Sequence, residues 1–214
     1  SEVGWSVALP EFEGLIEPIL AAASALEKID GAEYERHRAV GDRVAKIARR
    51  VKRWIDLRSK PPLQRKVAFI MHNNPCASAE ATVGSAAHLD TLESIARILA
   101  RMKEQGYCIE NPPANGRELI ETIMDRKAIS EFHWTPVQEI VQKGGALAMM
   151  DKEDYEAWFN TLQDAARDKV CSAWGQPPGE EINGVPASMV FEGKMVITGV
   201  SYGNAIICVQ PKRG

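Results

Sequence analysis

Lys66-Val67-Ala68-Phe69-Ile70-Met71-His72-Asn73-Asn74-Pro75 is the segment on which the fold turns. From Val67 to Met71 every residue is apolar, with no polar alternation. Such a run predicts a strand buried on both faces, as in a parallel sheet. It stops on His72, Asn73 and Asn74, and small and polar residues then lead to Asp90. Asp90 with Glu93 three residues on predicts a capping box, in which each side chain takes a free backbone N–H. Ile95, Ile98, Leu99 and Met102 recur at helical spacing, and Gly106 is a suitable stop. Residues 107–110 read as the next strand, which makes a β-loop-α-β unit.

Upstream, "PEFEGLIEPILAAASALEKI" reads as a helix rich in alanine and leucine. A second helix is expected over residues 32–57, with Val40, Val44, Ile47, Val51 and Trp54 at three- and four-residue steps. Its other face carries Arg43, Lys46, Arg49, Arg50, Lys52 and Arg53, either as a solvated surface or as a docking face. "RSKPPLQRK" breaks the pattern. Downstream, "NGRELIETIMDRK" predicts a helix with Asn115 and Glu118 in capping positions. "TPVQEIVQKGG" predicts another, with Thr135 as cap and Pro136 at the first helical position. A single helix is expected through "DKEDYEAWFNTLQDAARDKVCSAWG". "SMVFEGKMVITG" and "YGNAIICVQ" read as strands with glycine turns. The expected architecture is α/β: an open, mainly parallel, Rossmann-like sheet flanked by helices. A helical N-terminal arm (1–60) precedes the α/β domain (61–214).

Bulk properties narrow the function. Across 214 residues the net charge is −3, so no basic field calls for nucleic acid. No apolar run reaches the ~18 residues that a membrane span requires. Cys76, Cys108, Cys171 and Cys208 are dispersed, as expected for reduced, mostly buried thiols of a cytoplasmic protein. Neither GxxxxGK[ST] nor GxGxxG is present, and HExxH is missing too, so nucleotide binding and zinc-hydrolase chemistry of that type lack support.

In an open α/β sheet, ligands bind outside the carboxyl ends of strands. His72, Asn73, Asn74 and Gln210 fall at such ends. His72 suits a metal ligand or general base, or equally a structural imidazole on a backbone carbonyl. Asn73 and Asn74 suit ligand contacts or Asx turns. Gly84 allows close backbone approach, whether by a flat ligand or by a packing helix.

Several blocks, in order, carry a family resemblance. They are "VKRWIDLRSKPPLQRKVAFIMHNNP", "VGSAAHLDTLESIARILARMKEQGY", "WTPVQEIV", "YEAWFNTL", "WGQPPGE" and "ITGVSYGNAIICVQPKRG". Together, most of residues 32–214 resembles the large subunit of cobaltochelatase (CobN type) and its relative, the large subunit of magnesium chelatase. The resemblance implies an internal fragment of a longer chain, with part of the site beyond Gly214. It implies ATP-driven insertion of a divalent metal into a tetrapyrrole by a ligase that forms nitrogen–metal bonds. Co²⁺ entering a corrin-ring precursor of cobalamin is favoured, with Mg²⁺ and a porphyrin as the alternative. ATP is then used by partner subunits, an AAA-type ATPase and an adaptor, and is not bound here. His72 is expected as catalytic group and metal ligand. Asn73, Asn74, Gly84, His88, Asp90, Asn204, Gln210 and Arg213 are expected to bind substrate, with Asp90 mainly capping. His88 stands where the family pattern has glycine. A second class stays open: a non-catalytic tetrapyrrole-binding or ATPase-docking module, which the basic helix face would serve.

Overall fold

The structure is a computed structural model, and it describes residues 8–14, 19–73, 83–86, 88–129, 136–180 and 189–210. The chain divides into two compact units, Ser1–Lys60 and Pro61–Gly214.

The first unit differs from the predicted helical arm. After a one-turn helix α1 (Leu9–Phe12), strands β1 (Ala22–Ile29) and β2 (Ala32–Ala39) form an antiparallel hairpin, and helix α2 (Gly41–Ser59) follows. The decisive residues are Asp30 and Gly31. Ile29 pairs with Ala32, so these two form the whole loop, and both have positive φ, 50° and 82°. A two-residue Asp-Gly loop with left-handed backbone matches the twist of a hairpin and excludes a continuous helix. The directly opposed Lys28–Glu33 ion pair adds to the register. The alanine-rich composition that suggests helix was overridden by this turn.

The second unit is mixed α/β. Its first sheet has the order β3-β8-β7, from β3 (Val67–Met71), β7 (Val200–Tyr202) and β8 (Ala205–Val209). β3 and β8 run parallel, Val67 opposite Ala205 through Met71 opposite Val209, while β7 and β8 are antiparallel. A second sheet, β4-β6-β5, is antiparallel throughout, from β4 (Ala146–Met150), β5 (Val190–Phe191) and β6 (Lys194–Thr198). Among the described residues, then, a single strand pair is parallel, and the mainly parallel Rossmann-like sheet is not what forms.

Residues 107–110, read from sequence as a strand, run beside the β7–β8 turn instead. The Asn204 N–H donates to the Cys108 carbonyl (2.8 Å), and the Glu110 N–H reaches the Tyr202 carbonyl (3.4 Å). Asn111 then turns the chain with φ 43°, and Pro112 and Pro113, lacking N–H donors, cannot extend a ladder.

The helices follow their caps. α3 (Thr91–Glu104) starts on Asp90, whose Oδ1 accepts from the Glu93 N–H at 3.0 Å. α4 (Gly116–Asp125) starts on Asn115, whose Oδ1 accepts from the Glu118 N–H at 2.9 Å. α5 (Val137–Gln142) begins after Pro136, and the expected cap Thr135 lies outside the described residues. The helix predicted through residues 151–175 is two, α6 (Lys152–Phe159) and α7 (Asp164–Trp174). The break falls where Thr161 turns its hydroxyl onto the Trp158 carbonyl at 2.6 Å, ending the ladder.

α3 and α4 pack on one face of the β3-β8-β7 sheet. Leu99, Leu119, Ile123, Val200 and Ile207 are almost fully buried there. Each such side chain contributes on the order of 1.5–3 kcal/mol on burial.

Candidate functional site

The carboxyl ends of the parallel strands form the candidate site. Register brings its residues together. Met71 lies opposite Val209, and the Gln210 N–H donates to the Met71 carbonyl at 2.9 Å, extending the ladder by one step. The Gly84 N–H donates to the His72 carbonyl at 2.8 Å, and Asn73 forms an isolated antiparallel bridge with Val83. Residues distant in sequence thus meet at one sheet end.

Strand alternation then divides them. Met71, Asn73, Ala205, Ile207 and Val209 are buried, on the side of α3 and α4. Ala68, Ile70 and His72 are exposed on the other side, Ile70 at 73%. Successive side chains on a strand point to opposite faces. His72 and Gln210 therefore share the outer face, and Asn73 belongs to the inner one. The prediction that β3 is buried on both faces is overturned among the described residues. The apolar run is real, but one of its faces is covered and the other is open.

This outer face has an apolar floor along β3, from Ala68 and Ile70, and a polar edge of His72 and Gln210. Towards β7 it closes. A Cβ placed on Gly199 would lie 3.1 Å from Cys208 Sγ and 3.2 Å from Leu147 of β4, so side chains crowd that end. Partial burial pushes the Cys208 thiol up, which keeps it protonated and weakens it as a nucleophile or metal ligand. Cys108, Cys171 and Cys208 are free thiols, each half-buried, and Cys76 lies outside the described residues.

The remaining predicted residues have other placements. Gly84, at φ 69°, lies on the inner face, where an added Cβ would stand 3.2 Å from Thr91 and 3.4 Å from Met71 Sδ. Close packing of helix on strand accounts for this glycine. Asp90 caps α3 and its carbonyl accepts from the Ser94 hydroxyl at 2.6 Å. His88 is exposed, in the left-handed region at φ 59°. Asn204 precedes β8, at the opposite end of the strand from Gln210. Its side-chain amide donates to the Leu63 carbonyl at 2.9 Å, fixing the segment that leads into β3. The structure therefore does not bring Asn204 together with His72 and Gln210. Asn74 and Arg213 lie outside the described residues.

Among the described residues no three His, Cys, Asp or Glu side chains stand together as a metal-binding group. His72 contributes a single imidazole. None of the described helices is long and apolar enough to cross a membrane.

Sequence reasoning missed one feature of the inner face. Glu93 does not reach back to its own cap. Its Oε2 accepts from the Gly116 N–H at 2.9 Å, and its Oε1 pairs with Arg97 at 2.8 Å. The capping-box signal was present, but its second half serves the neighbouring helix.

Comparisons with known proteins identify relatives across the whole chain. The family described as CobN/Magnesium Chelatase matches residues 1–214. An uncharacterised protein of Methanocaldococcus jannaschii is 50% identical over all of this chain, which spans 17% of that protein. The aerobic cobaltochelatase subunit CobN of Pseudomonas aeruginosa is 30% identical, with 100% of this chain and 16% of the relative covered. The chloroplastic magnesium-chelatase subunit ChlH of Oryza sativa is 28% identical, with 100% and 13% covered. Among solved structures, the catalytic subunit of cobaltochelatase from Mycobacterium tuberculosis superposes with a TM-score of 0.69 at 26% identity. It covers 100% of this chain and 16% of the larger one.

Proposed function

The chain belongs to the CobN/magnesium chelatase family, and from this we propose that it supplies one wall of the tetrapyrrole site in the large subunit of a metal chelatase. The full enzyme is read as a cytoplasmic ligase that forms nitrogen–metal bonds, with cobalt entering a corrin-ring precursor. One observation carries the reading: His72 and Gln210 stand side by side at the edge of an open apolar sheet face.

A macrocycle is flat and largely apolar, with polar substituents at its rim. The exposed Ala68 and Ile70 side chains offer a surface on which such a ring loses water on one side. Gln210 can donate to or accept from rim amides and carboxylates. The imidazole of His72 is suited to two tasks. It replaces a water ligand as the metal ion leaves its hydration shell, or it takes a proton from a ring N–H. The substrate metal is Co²⁺ in this reading, with Mg²⁺ the alternative that the 28% identity to a magnesium-chelatase subunit keeps in view. ATP is used by an AAA-type ATPase and an adaptor subunit.

The test uses the complete large subunit to which this chain corresponds. It is titrated with a soluble porphyrin and with a corrin precursor, following absorbance and tryptophan quenching, and metal insertion is then measured with the partner subunits. His72→Ala is expected to lower the insertion rate by ~100-fold or more if the imidazole moves a proton. Folding should stay intact because the side chain is exposed. Ile70→Asp is expected to weaken ring binding. Wild-type insertion in the His72 variant together with wild-type ring binding in the Ile70 variant would remove this face from the site.

A further inference from the structure

Helix α2 has a surface that the sheet-face site does not use. It carries seven lysines and arginines against two aspartates, in a chain whose net charge is −3. Asp42 lies 3.7 Å from Arg43 and Asp56 lies 2.6 Å from Lys52, so both carboxylates are already engaged. Among the described residues no carboxylate forms an ion pair with Lys46, Arg49, Arg53 or Arg58. The helix also has an apolar stripe: Val44 lies two turns before Val51, and Trp54 and Ile55 follow Val51 at three and four residues. These side chains are 43–60% exposed, and α2 has no buried residue at all. A stripe of this length normally meets a partner surface. Beside it, Arg50, Arg53, Trp54 and Leu57 line a groove of about 210 Å³.

We propose that α2 docks an acidic amphipathic segment of a separate protein subunit, an inference that rests on the chelatase reading for the identity of the complex. Charge decides the chemistry of the occupant. Cations without carboxylate partners beside an apolar stripe are complemented by a segment that pairs Asp or Glu with large apolar residues. The groove favours a protein over a lipid surface. The Trp54 indole and Leu57 give it apolar lining and Arg53 brings a guanidinium, and so it suits one anchoring side chain next to a carboxylate. A flat bilayer would use the stripe and leave the groove unfilled.

The experiment measures affinity of the complete large subunit for its purified ATPase and adaptor subunits by surface plasmon resonance across salt concentrations. Tetrapyrrole binding is followed in parallel. Arg49→Glu combined with Arg53→Glu is expected to reduce affinity for one of those subunits at least tenfold. Wild-type affinity should fall as salt rises, and the variant should lose most of that dependence. Trp54→Ala is expected to weaken the same complex while ring binding stays unchanged. Unaltered affinity in both variants overturns the proposal. So does a drop in thermal stability of the isolated large subunit on Trp54→Ala, which would mean that its own chain covers the stripe. Loss of flotation with phosphatidylglycerol vesicles, with subunit affinity intact, overturns it in favour of a membrane. A wild-type subunit that binds its partners through Arg49 and Arg53 but takes up no tetrapyrrole leaves this docking standing and sinks the sheet-face site instead.

Discussion

His88 has a left-handed backbone, φ 59°, at the approach to α3. For an L-residue with a Cβ this region costs ~1–2 kcal/mol relative to the right-handed one. Glycine would relieve that cost but would add freedom to the unfolded chain, worth roughly 0.5–1 kcal/mol. The expected net result of His88→Gly is a gain of about 0.5 kcal/mol, read as a higher urea midpoint at unchanged slope. A lower midpoint would mean that the imidazole makes contacts that outweigh the strain. At this scale the sequence was informative about chemistry but not about facing. His72, Asn73 and Gln210 could be placed at strand ends from the apolar runs alone. That His72 and Gln210 share one face, with Asn73 on the other, depends on the parallel register of β3 and β8. No local pattern encodes a register between distant strands.

Between elements, α3 and α4 come into close backbone approach at Gly116. A Cβ there would lie 2.5 Å from the Glu93 backbone nitrogen and 2.8 Å from the Leu92 carbonyl carbon. Backbone cannot yield as a side-chain tip can, so Gly116→Ala must push the helices apart and loosen Ile95, Leu99 and Leu119 together. The expected cost is ~2–3 kcal/mol, measured by chemical denaturation. Glu93 couples the same two helices electrostatically. The Gly116 N–H first, and the Arg97 guanidinium second, hold its carboxyl below the usual carboxylate range. Its folded-state pKa is thus lower than the unfolded one, near ~4.3. The carboxylate's contribution is complete above that unfolded value and is lost as pH falls through the folded one. Glu93→Gln should therefore lose less stability than the wild type between neutral pH and pH ~3. Equal losses on acidification would show that the Glu93–Gly116 bond does not link the helices in solution. The caps on Asp90 and Asn115 were legible in sequence because each is a local bond to a backbone N–H three residues away. The β1–β2 hairpin was legible too, in Asp30-Gly31, but the surrounding alanines argued louder for helix.

For the molecule as a whole, sequence order gave the α/β class and the family, whereas pairing over long separations stayed out of reach. Asn204 bonds to Leu63 across 141 positions, and the partner of β3 is the last strand and not the segment that follows α3. Such contacts depend on which distant edge offers a matching ladder, and composition says nothing of that. The hydrophobic core has a sharper consequence. Every member of the main buried cluster, from Met71 to Val209, belongs to residues 61–214, as do the partly buried side chains packed against it, from Phe69 to Met124. In the first unit α2 contributes no buried residue, and β1 and β2 are exposed almost throughout. Cooperative stability follows from burial of apolar area, so it should reside in the second unit. A protein comprising residues 61–214 alone is expected to keep its near-ultraviolet circular dichroism. Its urea midpoint should match that of the core-reporting transition in the 214-residue chain. The slope of that transition should match as well, because it scales with the surface exposed when the core opens. An unfolded 61–214 protein, or a midpoint shifted far to lower urea, would place part of the stabilising surface in the first sixty residues. The exposed stripe of α2 would then be the first place to look for it.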